Sequence, residues 1–243
     1  MALAGYGNSV EGLHAVAAAV QAGRVGRLLV DRSRRTRPDV LALIDLVGAD
    51  DVSFVDDLRN GAHTDAPQGV AAECVPIAPV SLESLAGPDA ALLVLDHIED
   101  PHNVGAIARS ALAAGVTGLV VSSRRAAPLS AVAFKAAAGA LETMPVAVVS
   151  SIPEALSRLK DLDVWLVGLD AGAVESMFGL QLFTESVAVV LGSEGDGLSQ
   201  LASKRCDVLK SIPMVGDTES LNVSVSGALA AFEIMLVRAF TPG

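Results

Sequence analysis

The feature that most constrains the fold of this chain is an alternation of short apolar runs with helical patterns after residue 90. The runs are rich in Ala, Val and Leu along their length, and they lie at 91–95, 118–121, 145–149, 164–168 and 187–191. Strands that are apolar on both faces are typical of a parallel sheet covered by helices on each side. We therefore predict an α/β fold with a parallel sheet in this part of the chain.

Residues 1–75 show a shorter version of the same alternation. Strands are predicted at 24–30, 52–55 and 71–75, and helices at 10–22 and 38–47. Ser9 is expected to cap the first of these helices. The stretch 76–90 contains three prolines and a glycine, a composition that predicts a linker. We therefore expect a small α/β domain at 1–75, a linker at 76–90 and a larger domain at 91–243.

Composition narrows the class of protein. The two cysteines, Cys74 and Cys206, have neither metal-ligand spacing nor a disulfide framework, and the four histidines form no ligand pair. These observations predict no metal site and favour a reducing, cytoplasmic compartment. No apolar run approaches the ~18–20 residues of a membrane span, and the N-terminus lacks the pattern of a secretory signal. We therefore expect no membrane partner.

The charge of the chain is uneven. The formal net charge is −11, which is unusual for a protein that binds nucleic acid. Residues 1–40 nevertheless hold six arginines against three acidic residues, and the local cluster contains Arg32, Arg34 and Arg35. Clustered arginines supply affinity for RNA phosphate, although a solvated loop explains the same cluster equally well. RNA contact by these three arginines is therefore one of two open hypotheses.

Polar residues interrupt an apolar segment near the C-terminus. The stretch 223–237 has mostly helical spacing, and the polar residues at or within its start are Ser220, Asn222, Ser224 and Ser226. A small polar side chain at a helix start can cap unpaired N–H groups, which accounts for one or two of them. Burying the rest without partners would be costly, so a bound ligand is expected to explain them.

A second polar group follows the predicted strand 91–95. The sequence Asp-Pro-His-Asn ends at Asn103, and Arg109 follows six residues later, about 1.7 helical turns. Both side chains can therefore face one cleft at the carboxyl end of a strand, where open α/β sheets bind ligands. A plain helix cap is the competing explanation for Asn103. Arg109 interrupts an apolar face, so it needs an anionic or hydrogen-bonding partner.

A glycine-rich turn follows the predicted strand 187–191. Its glycines, at 192, 195 and 197, are in the wrong order for the G-x-G-x-x-G turn that binds dinucleotides. Glu194 and Asp196 would also repel a pyrophosphate. This turn therefore disfavours a nucleotide-dependent oxidoreductase.

Three segments, in this order, carry a resemblance to a known family. They are LDHIEDPHNVGAIARSALAAGVTGLVV at 95–121, VVLGSEGDGLS at 189–199 and SIPMVGDTESLNVSVSGALAAFE at 211–233. Their motifs resemble those of the SpoU family, the RNA ribose 2′-O-methyltransferases of the SPOUT superfamily. EGLHAV at 11–16 is similar to the opening of the two-domain ribosomal RNA members. The resemblance implies an α/β fold with a C-terminal trefoil knot, preceded by a small α/β RNA-binding domain.

The same resemblance implies S-adenosyl-L-methionine as the cofactor and assigns roles to particular residues. The implied cofactor-binding residues are Gly192, Ile212, Met214 and Leu221. The implied catalytic residues are Asn103, Arg109, Glu194, Ser220 and Asn222. Glu194 is expected beside Arg109, where a bidentate pair would hold the guanidinium. Family members pair through the knotted domain, so a homodimer is expected.

The implied reaction is methyl transfer to a ribose 2′-hydroxyl, and the favoured substrate is a guanosine of 23S ribosomal RNA. Transfer RNA is the alternative substrate, and a non-catalytic RNA-binding module is the alternative from a different class. The proton acceptor is left open. The family proposal gives this role to Arg109, but a guanidinium is effectively always protonated. Arg109 could instead stabilise the developing alkoxide.

Overall fold

The computed structural model describes residues 5–64, 66–124, 126–215 and 220–240. Within these residues, ten strands form two sheets. The smaller sheet has four strands and comes from the N-terminal part of the chain. The larger sheet has six strands and comes from the C-terminal part.

The smaller sheet is mixed. Its strands are β1 (Ser9–Glu11), β2 (Val25–Asp31), β3 (Val52–Val55) and β4 (Val70–Cys74), in the spatial order β1-β4-β2-β3. Strand β4 is antiparallel to both of its neighbours, and β2 is parallel to β3. Helices α1 (Leu13–Gln21) and α2 (Pro38–Val47) pack against this sheet.

The chain before α1 differs from the prediction. Ser9 does not cap the helix, because it lies in β1 and pairs with Glu73. The helix begins at Leu13 after Gly12, whose φ of 91° favours glycine. The first N–H group of the helix finds a distant acceptor, since Leu13 N donates to Gln68 Oε1 at 3.0 Å. The sequence pattern missed β1 because its partner strand lies far along the chain.

The larger sheet confirms the predicted parallel α/β architecture. Its strands are β5 (Ala91–Leu95), β6 (Gly118–Ser122), β7 (Val146–Val149), β8 (Trp165–Leu169), β9 (Val187–Leu191) and β10 (Val208–Lys210). Every neighbouring pair is parallel, in the spatial order β10-β8-β9-β5-β6-β7. All residues of β5 and β9 are buried, as their continuous apolar sequences predict.

Helices cover both faces of the larger sheet. On one face lie α3 (Leu82–Leu85), α6 (Ile152–Asp161) and α7 (Gln200–Arg205), and on the other lie α4 (Pro101–Ala113), α5 (Ala131–Ala137) and α8 (Val223–Phe240). The core on the second face continues into the smaller sheet. Helix α3 belongs to the stretch predicted as a linker, where its Leu85 packs so closely on Gly118 that a Cβ there would lie 2.7 Å away. Residues 76–90 therefore include a short helix that covers part of one face of the larger sheet.

Helix α8 is 18 residues long with a mean hydropathy of 1.6, which is the length and composition of a membrane-crossing helix. The expectation that no apolar run approaches this length is therefore wrong. Core helices of soluble proteins meet the same criterion. Here α8 packs against α4, β5 and β9. Near its end, Arg238 donates to the backbone carbonyls of Phe183, Ala90 and Glu185 at 2.9, 2.9 and 2.7 Å, which anchors the helix in the fold.

The two cysteines are unpaired in the part of the chain that the structure describes. Burial raises the pKa of the Cys74 thiol to about 11 and that of Cys206 to about 12. Both thiols are therefore protonated near neutral pH, and a protonated thiol is a poor nucleophile and a poor metal ligand. Cys74 is buried and Cys206 half-buried, and both serve in the fold as small packing side chains.

A largely buried ion pair joins the start of β2 to the segment that follows α5. Arg24 donates from Nε and Nη2 to the carboxylate of Glu142, both at 2.7 Å, and the two side chains are only 12% and 2% exposed. Arg24 also donates to the carbonyl oxygens of Gly7, at 3.0 Å, and Val75. Its guanidinium lies 5.7 Å from the centroid of the Phe134 ring. This one side chain therefore ties the strands of the smaller sheet to the segment that follows α5.

We predict that Arg24→Met lowers the free energy of unfolding by about 3–5 kcal/mol, because it leaves the Glu142 carboxylate buried and unpaired. Urea denaturation measures this cost. The double variant Arg24→Met/Glu142→Met should regain most of it, since no buried charge remains. The matched control is Arg158→Met, which removes an exposed pair with Glu83 and should cost less than about 1 kcal/mol. Equal costs for Arg24→Met and Arg158→Met would contradict the prediction.

Candidate active site

The three segments singled out in the sequence meet at one edge of the larger sheet. Strands β5 and β9 are neighbours at its centre, and the chain leaves β5 toward β6 on one side while β8 and β10 lie on the other. The order of the strands therefore reverses between β5 and β9. Open α/β sheets bind ligands at the carboxyl ends of the strands beside such a reversal.

Asn103 is brought to this edge by helix α4. The helix begins at Pro101, and Asp100 caps it by accepting a hydrogen bond from His102 N at 2.8 Å. The explanation of Asn103 as a plain cap is therefore wrong. Asn103 lies within the first turn and is 8% exposed. Because Asp100 satisfies the helix end, the Asn103 side chain is available for the site.

Glu194 is the centre of a cluster of hydrogen bonds. Its Oε1 accepts from Asn103 Nδ2 at 3.1 Å and from Asn222 Nδ2 at 2.6 Å. Asn222 Nδ2 also lies 3.1 Å from Asn103 Oδ1. The backbone N–H of Val223 points at the same carboxylate oxygen, at 3.4 Å. One carboxylate thus joins a residue from each of the three segments.

Asn222 has a second task, which is to cap α8. Its Oδ1 accepts from Ser224 N at 2.9 Å, and its carbonyl oxygen accepts from the N–H groups of Val225 and Ser226 at 3.0 and 3.1 Å. The prediction that a small polar residue caps this helix is therefore confirmed, and the residue is Asn222. The positive end of the helix dipole also faces Glu194, which favours a carboxylate at this position.

The glycine-rich turn places Glu194 at the edge of the sheet. Ser193 and Gly197 exchange both backbone hydrogen bonds at 3.0 Å, which closes the turn on itself. A Cβ on Gly192 would lie 2.1 Å from the Gly197 carbonyl carbon, so only glycine fits there. The closed turn leaves Glu194 exposed at the edge of the sheet.

Glu194 lies between two cavities. The first has a volume of about 370 Å³, and its lining includes all four residues predicted to bind a cofactor, Gly192, Ile212, Met214 and Leu221. Ser220 lines the same cavity and is exposed. Asp170 and Ala171, at the carboxyl end of β8, complete one wall. The sequence reasoning missed these two, because nothing local distinguishes them from ordinary loop residues.

The second cavity has a volume of about 600 Å³ and lies on the other side of Glu194. Asn103 lines it, together with four residues that follow strand β5, His97, Ile98, Glu99 and Asp100. His97 was missed as a site residue. The available signal was its position two residues after the end of an apolar strand, at the sheet edge where ligands bind.

Arg109 is not part of the hydrogen-bonded cluster. It is exposed on α4 and lines a separate groove with Gln21, Ala22 and Glu142. Among the described residues it makes no ion pair, and the Glu194 carboxylate is occupied by Asn103 and Asn222 instead. The expected bidentate pair between Glu194 and Arg109, and a cleft shared by Asn103 and Arg109 in one chain, are therefore wrong. The catalytic role of Arg109 stays a prediction.

The basic cluster lies on the smaller sheet. Asp31 ends β2 and accepts from Ser33 N at 2.8 Å, which starts a short 3₁₀ turn in place of the predicted irregular loop. Arg32 pairs with Asp56 at 2.8 Å, and both side chains are exposed. Arg34 and Arg35 are exposed and make no ion pair within the described ranges. RNA contact by these arginines stays a prediction.

No cluster of His, Cys, Asp and Glu within the described residues could hold a metal ion. The hydrogen-bonded cluster offers a carboxylate with two fixed amides, and acidic side chains line the cavities on both sides of it.

Taken together, the fold and the site define an α/β protein with a ligand pocket built from a glycine turn and a capped C-terminal helix. Residues 90–232 match the SpoU rRNA Methylase family, and the chain belongs to this family. The resemblance drawn from the three segments is confirmed. The likeness to solved structures extends beyond the matched region and includes the smaller sheet.

Similar proteins carry informative names. The 23S rRNA (guanosine-2′-O-)-methyltransferase RlmB of Xylella fastidiosa (strain 9a5c) is 44% identical over 65% of this chain and 63% of its own length. RlmB of Vibrio vulnificus (strain CMCP6) is 37% identical over 76% of this chain and 75% of its length. A Synechocystis protein named as an uncharacterized tRNA/rRNA methyltransferase, slr0955, is 40% identical over 78% of this chain. The alignment spans 63% of the length of the Xylella fastidiosa relative and 51% of the length of slr0955.

Among solved structures, the SpoU methyltransferase AviRb from Streptomyces viridochromogenes, in complex with the cofactor AdoMet, superimposes with a TM-score of 0.82. It is 25% identical, and the match covers 96% of this chain and 91% of AviRb. An rRNA methyltransferase from Sinorhizobium meliloti shares the fold, with a TM-score of 0.75 at 22% identity.

Proposed function

We propose that this protein transfers a methyl group from S-adenosyl-L-methionine to a ribose 2′-hydroxyl of ribosomal RNA. The observation that carries the proposal is the cluster of Glu194, Asn103 and Asn222 between two cavities. One cavity suits a nucleoside-sized cofactor and the other is open to a large substrate. The cluster stands where the two would meet.

The first cavity fits the proposed cofactor. Its volume of about 370 Å³ lies in the range of sites for small organic ligands, about 300–1,000 Å³. Ile212 and Leu221 offer apolar walls for an adenine ring, and Gly192 lets the backbone approach closely. Glu194 and Asp196 add negative charge, which suits a sulfonium and repels a phosphate. When bound, S-adenosyl-L-methionine supplies an electrophilic methyl group, while these residues hold and orient it.

The substrate is proposed to be a guanosine of 23S ribosomal RNA. The relatives named RlmB act on that RNA according to their names, and the AviRb match includes the smaller sheet as well as the larger one. Transfer RNA is the second candidate. A structure described as a TrmH/SpoU tRNA-modifying enzyme from A. aeolicus covers only 65% of this chain. The AviRb match covers 96% of this chain, so the comparison favours ribosomal RNA as the substrate. We therefore also propose that the protein acts in the cytoplasm.

We further propose that the chain is divided as the sequence suggests, with an RNA-binding domain at 1–75, a linker at 76–90 and a knotted methyltransferase domain at 91–243. The two sheets and the start of the family match at residue 90 support this division. The knot is inferred from family membership. The exposed Arg32, Arg34 and Arg35 would hold RNA phosphate at a distance from the methyl donor.

A homodimer is the proposed assembly. Helix α8 presents a stripe of exposed apolar residues at helical spacing, with Val225, Phe232, Leu236 and Phe240 on its surface. The stripe continues into a groove of about 350 Å³ between α8 and α4. Pairing of two copies along α4 and α8 would cover it. Because Arg109 lies on α4, the same pairing would bring it to an interface, where it could serve the transfer step.

The proposed function predicts that S-adenosylhomocysteine raises the melting temperature, because a ligand of the folded state stabilises it by mass action. Gly192→Ala should abolish this shift, since its Cβ would collide with the Gly197 backbone. Gly87→Ala is the matched control, because nothing lies within 4 Å of its Cβ. Wild-type protein should also methylate 23S rRNA transcripts at a 2′-oxygen, read by mass spectrometry. The absence of both the shift and the product would refute the proposal.

The division of labour predicts different losses for two groups of arginines. Changing Arg32, Arg34 and Arg35 to Ala should weaken RNA binding and flatten its salt dependence, because fewer counterions are released. Arg109→Ala should instead lower the single-turnover rate at saturating RNA by orders of magnitude. The proposal fails if the triple variant is as slow as Arg109→Ala at saturating RNA, or if Arg109→Ala is as fast as wild type.

The homodimer predicts that a charge on the apolar stripe dissociates the assembly. Phe232→Asp should convert a dimeric mass to a monomeric one in light scattering at micromolar concentration, because burial of an unpaired carboxylate is costly. Val174→Asp is the control, since Val174 is a fully exposed apolar residue in the loop after β8. A monomeric mass for the wild-type protein would overturn the assembly.

A further inference from the structure

Asp170 is a half-buried acidic residue in the wall of the first cavity, directly after the end of β8. Strand β8 lies between β10 and β9 in the larger sheet. The chain that follows β10 supplies Ile212 and Met214 to this cavity, and the turn that follows β9 supplies Gly192 and Glu194. Because the strands are parallel, their carboxyl ends share one edge of the sheet. Asp170 therefore lies between the apolar residues and the glycine-rich turn.

The neighbouring strand fixes the backbone around Asp170. Its N–H donates to the Lys210 carbonyl oxygen at 3.0 Å. Farther along the same loop, Met177 N donates to the Ser211 carbonyl oxygen at 2.9 Å, and Ser211 N donates to that of Glu175 at 2.8 Å. The Lys210 ammonium also pairs with the Glu175 carboxylate. These contacts give Asp170 the fixed position that recognition of a ligand requires.

The Asp170 carboxylate is itself held in one orientation. Its Oδ1 accepts from Gly172 N at 2.8 Å, the local bond by which an aspartate closes a turn. Its Oδ2 accepts no hydrogen bond from the part of the chain that the structure describes. An ionised carboxylate only accepts hydrogen bonds, and it has about four lone-pair sites. Asp170 therefore presents a fixed acceptor to hydrogen-bond donors in the cavity.

The order of the wall residues matches the order of the parts of S-adenosyl-L-methionine. In that molecule the ribose lies between the adenine ring and the sulfur atom. Ile212 and Leu221 are the apolar walls for the ring, and Glu194 belongs to the cluster where transfer is proposed. The ribose would lie between them, beside Asp170. Its two adjacent hydroxyl groups are donors that a carboxylate can accept, and dinucleotide-binding folds use an acidic residue for a ribose hydroxyl in the same way.

We propose that Asp170 binds the ribose hydroxyls of the methyl donor and so selects a ribonucleoside cofactor. This inference rests on the proposed function. Asp170 acts as a positioning residue, because fixing the sugar fixes the distance between the methyl group and the hydrogen-bonded cluster. The same carboxylate repels a ligand with a phosphate on its ribose, which adds a repulsive element to the selection.

The first test measures binding by calorimetry and needs no catalysis. It compares S-adenosylhomocysteine with its 2′-deoxy and 3′-deoxy analogues. Wild-type protein should bind at least one analogue about 10-fold more weakly, or worse, because a hydrogen bond to a charged group is lost. Asp170→Asn should remove most of this difference. Its amide oxygen can still accept from Gly172 N, but its NH₂ group is not an acceptor.

Two results of this comparison would overturn the proposal. One is that wild-type protein binds both deoxy analogues as tightly as S-adenosylhomocysteine. The other is that Asp170→Asn discriminates between the ligands as strongly as wild-type protein does. If Asp170→Asn does not fold, Asp170→Ser takes its place, because a serine hydroxyl can also accept from the N–H two residues on.

A second ligand separates the ribose from the amino-acid end of the cofactor. 5′-Methylthioadenosine keeps the adenine ring and the ribose but lacks the ammonium and carboxylate groups. Asp170→Asn should raise the Kd of this ligand and that of S-adenosylhomocysteine by the same factor, about 10-fold. A loss confined to S-adenosylhomocysteine would mean that Asp170 binds the ammonium group, and the proposal would be wrong. Asp161→Asn is the matched control, because it removes the same charge from an exposed position at the end of α6, outside the cavity lining, and both Kd values should stay unchanged.

The outcomes separate this inference from the function on which it rests. If wild-type protein binds neither S-adenosylhomocysteine nor 5′-methylthioadenosine, the proposed cofactor fails, and the role of Asp170 fails with it. If wild-type protein binds both and methylates RNA, but does not distinguish the deoxy analogues, only the role of Asp170 fails. Discrimination by wild-type protein that is lost in Asp170→Asn, with equal losses for the two natural ligands, is the result that supports the inference.

Discussion

The carboxylate of Glu194 is the contact on which the site depends. Its partners are 91 residues away at Asn103 and 28 residues away at Asn222, so it closes two long loops of chain at one point. A carboxylate is suited to this task because hydrogen bonds to an ionised acceptor are stronger than those between neutral groups. The positive end of α8 adds to the same attraction. Without that acceptor, two amide groups would face each other with fewer partners.

The sheet explains why these segments can meet. Strands β5 and β9 are neighbours, so the turns that follow them lie side by side. The Asp96 N–H donates to the Leu191 carbonyl oxygen, and its carboxylate accepts from Ser199. These contacts hold the two turns together, and Glu194 joins them to the start of α8 through Asn222. The two cavities are a consequence of this arrangement, because the closed glycine turn stands between them.

Much of the larger sheet could be predicted from the sequence because burial on both faces leaves a local signature. The predicted limits of β5 and β9 are those found, 91–95 and 187–191. Prediction failed where a distant contact decides the local structure. Strand β1 exists because β4 pairs with it. Within β1, Glu11 is 2% exposed and accepts from the N–H groups of His63 and Thr64 at 2.7 and 2.9 Å, a task that its local sequence does not show.

The site was predictable to a different degree in each part. The four residues that line the first cavity and the cluster around Glu194 were singled out by the family motifs, which carry information that spacing alone does not hold. The position of Arg109 outside the cluster could not be predicted. Helical spacing does not show that Asn103 and Asn222, and not Arg109, donate to the Glu194 carboxylate. His97 was missed because it lines the second cavity only where a positive φ turns the chain after β5, and the sequence does not show that conformation.

Glu194 and Asn103 act as one unit across the fold, and a double-mutant cycle in unfolding free energy measures their coupling. We expect a coupling of about 1–3 kcal/mol between Glu194→Ala and Asn103→Ala, the size expected for a hydrogen bond to a charged group. The parallel cycle with Asp196→Ala should be additive within about 0.5 kcal/mol, because Asp196 lies on the same turn but makes no hydrogen bond among the described residues. If the losses in unfolding free energy of Glu194→Ala and Asn103→Ala are additive, the two side chains do not act as one unit.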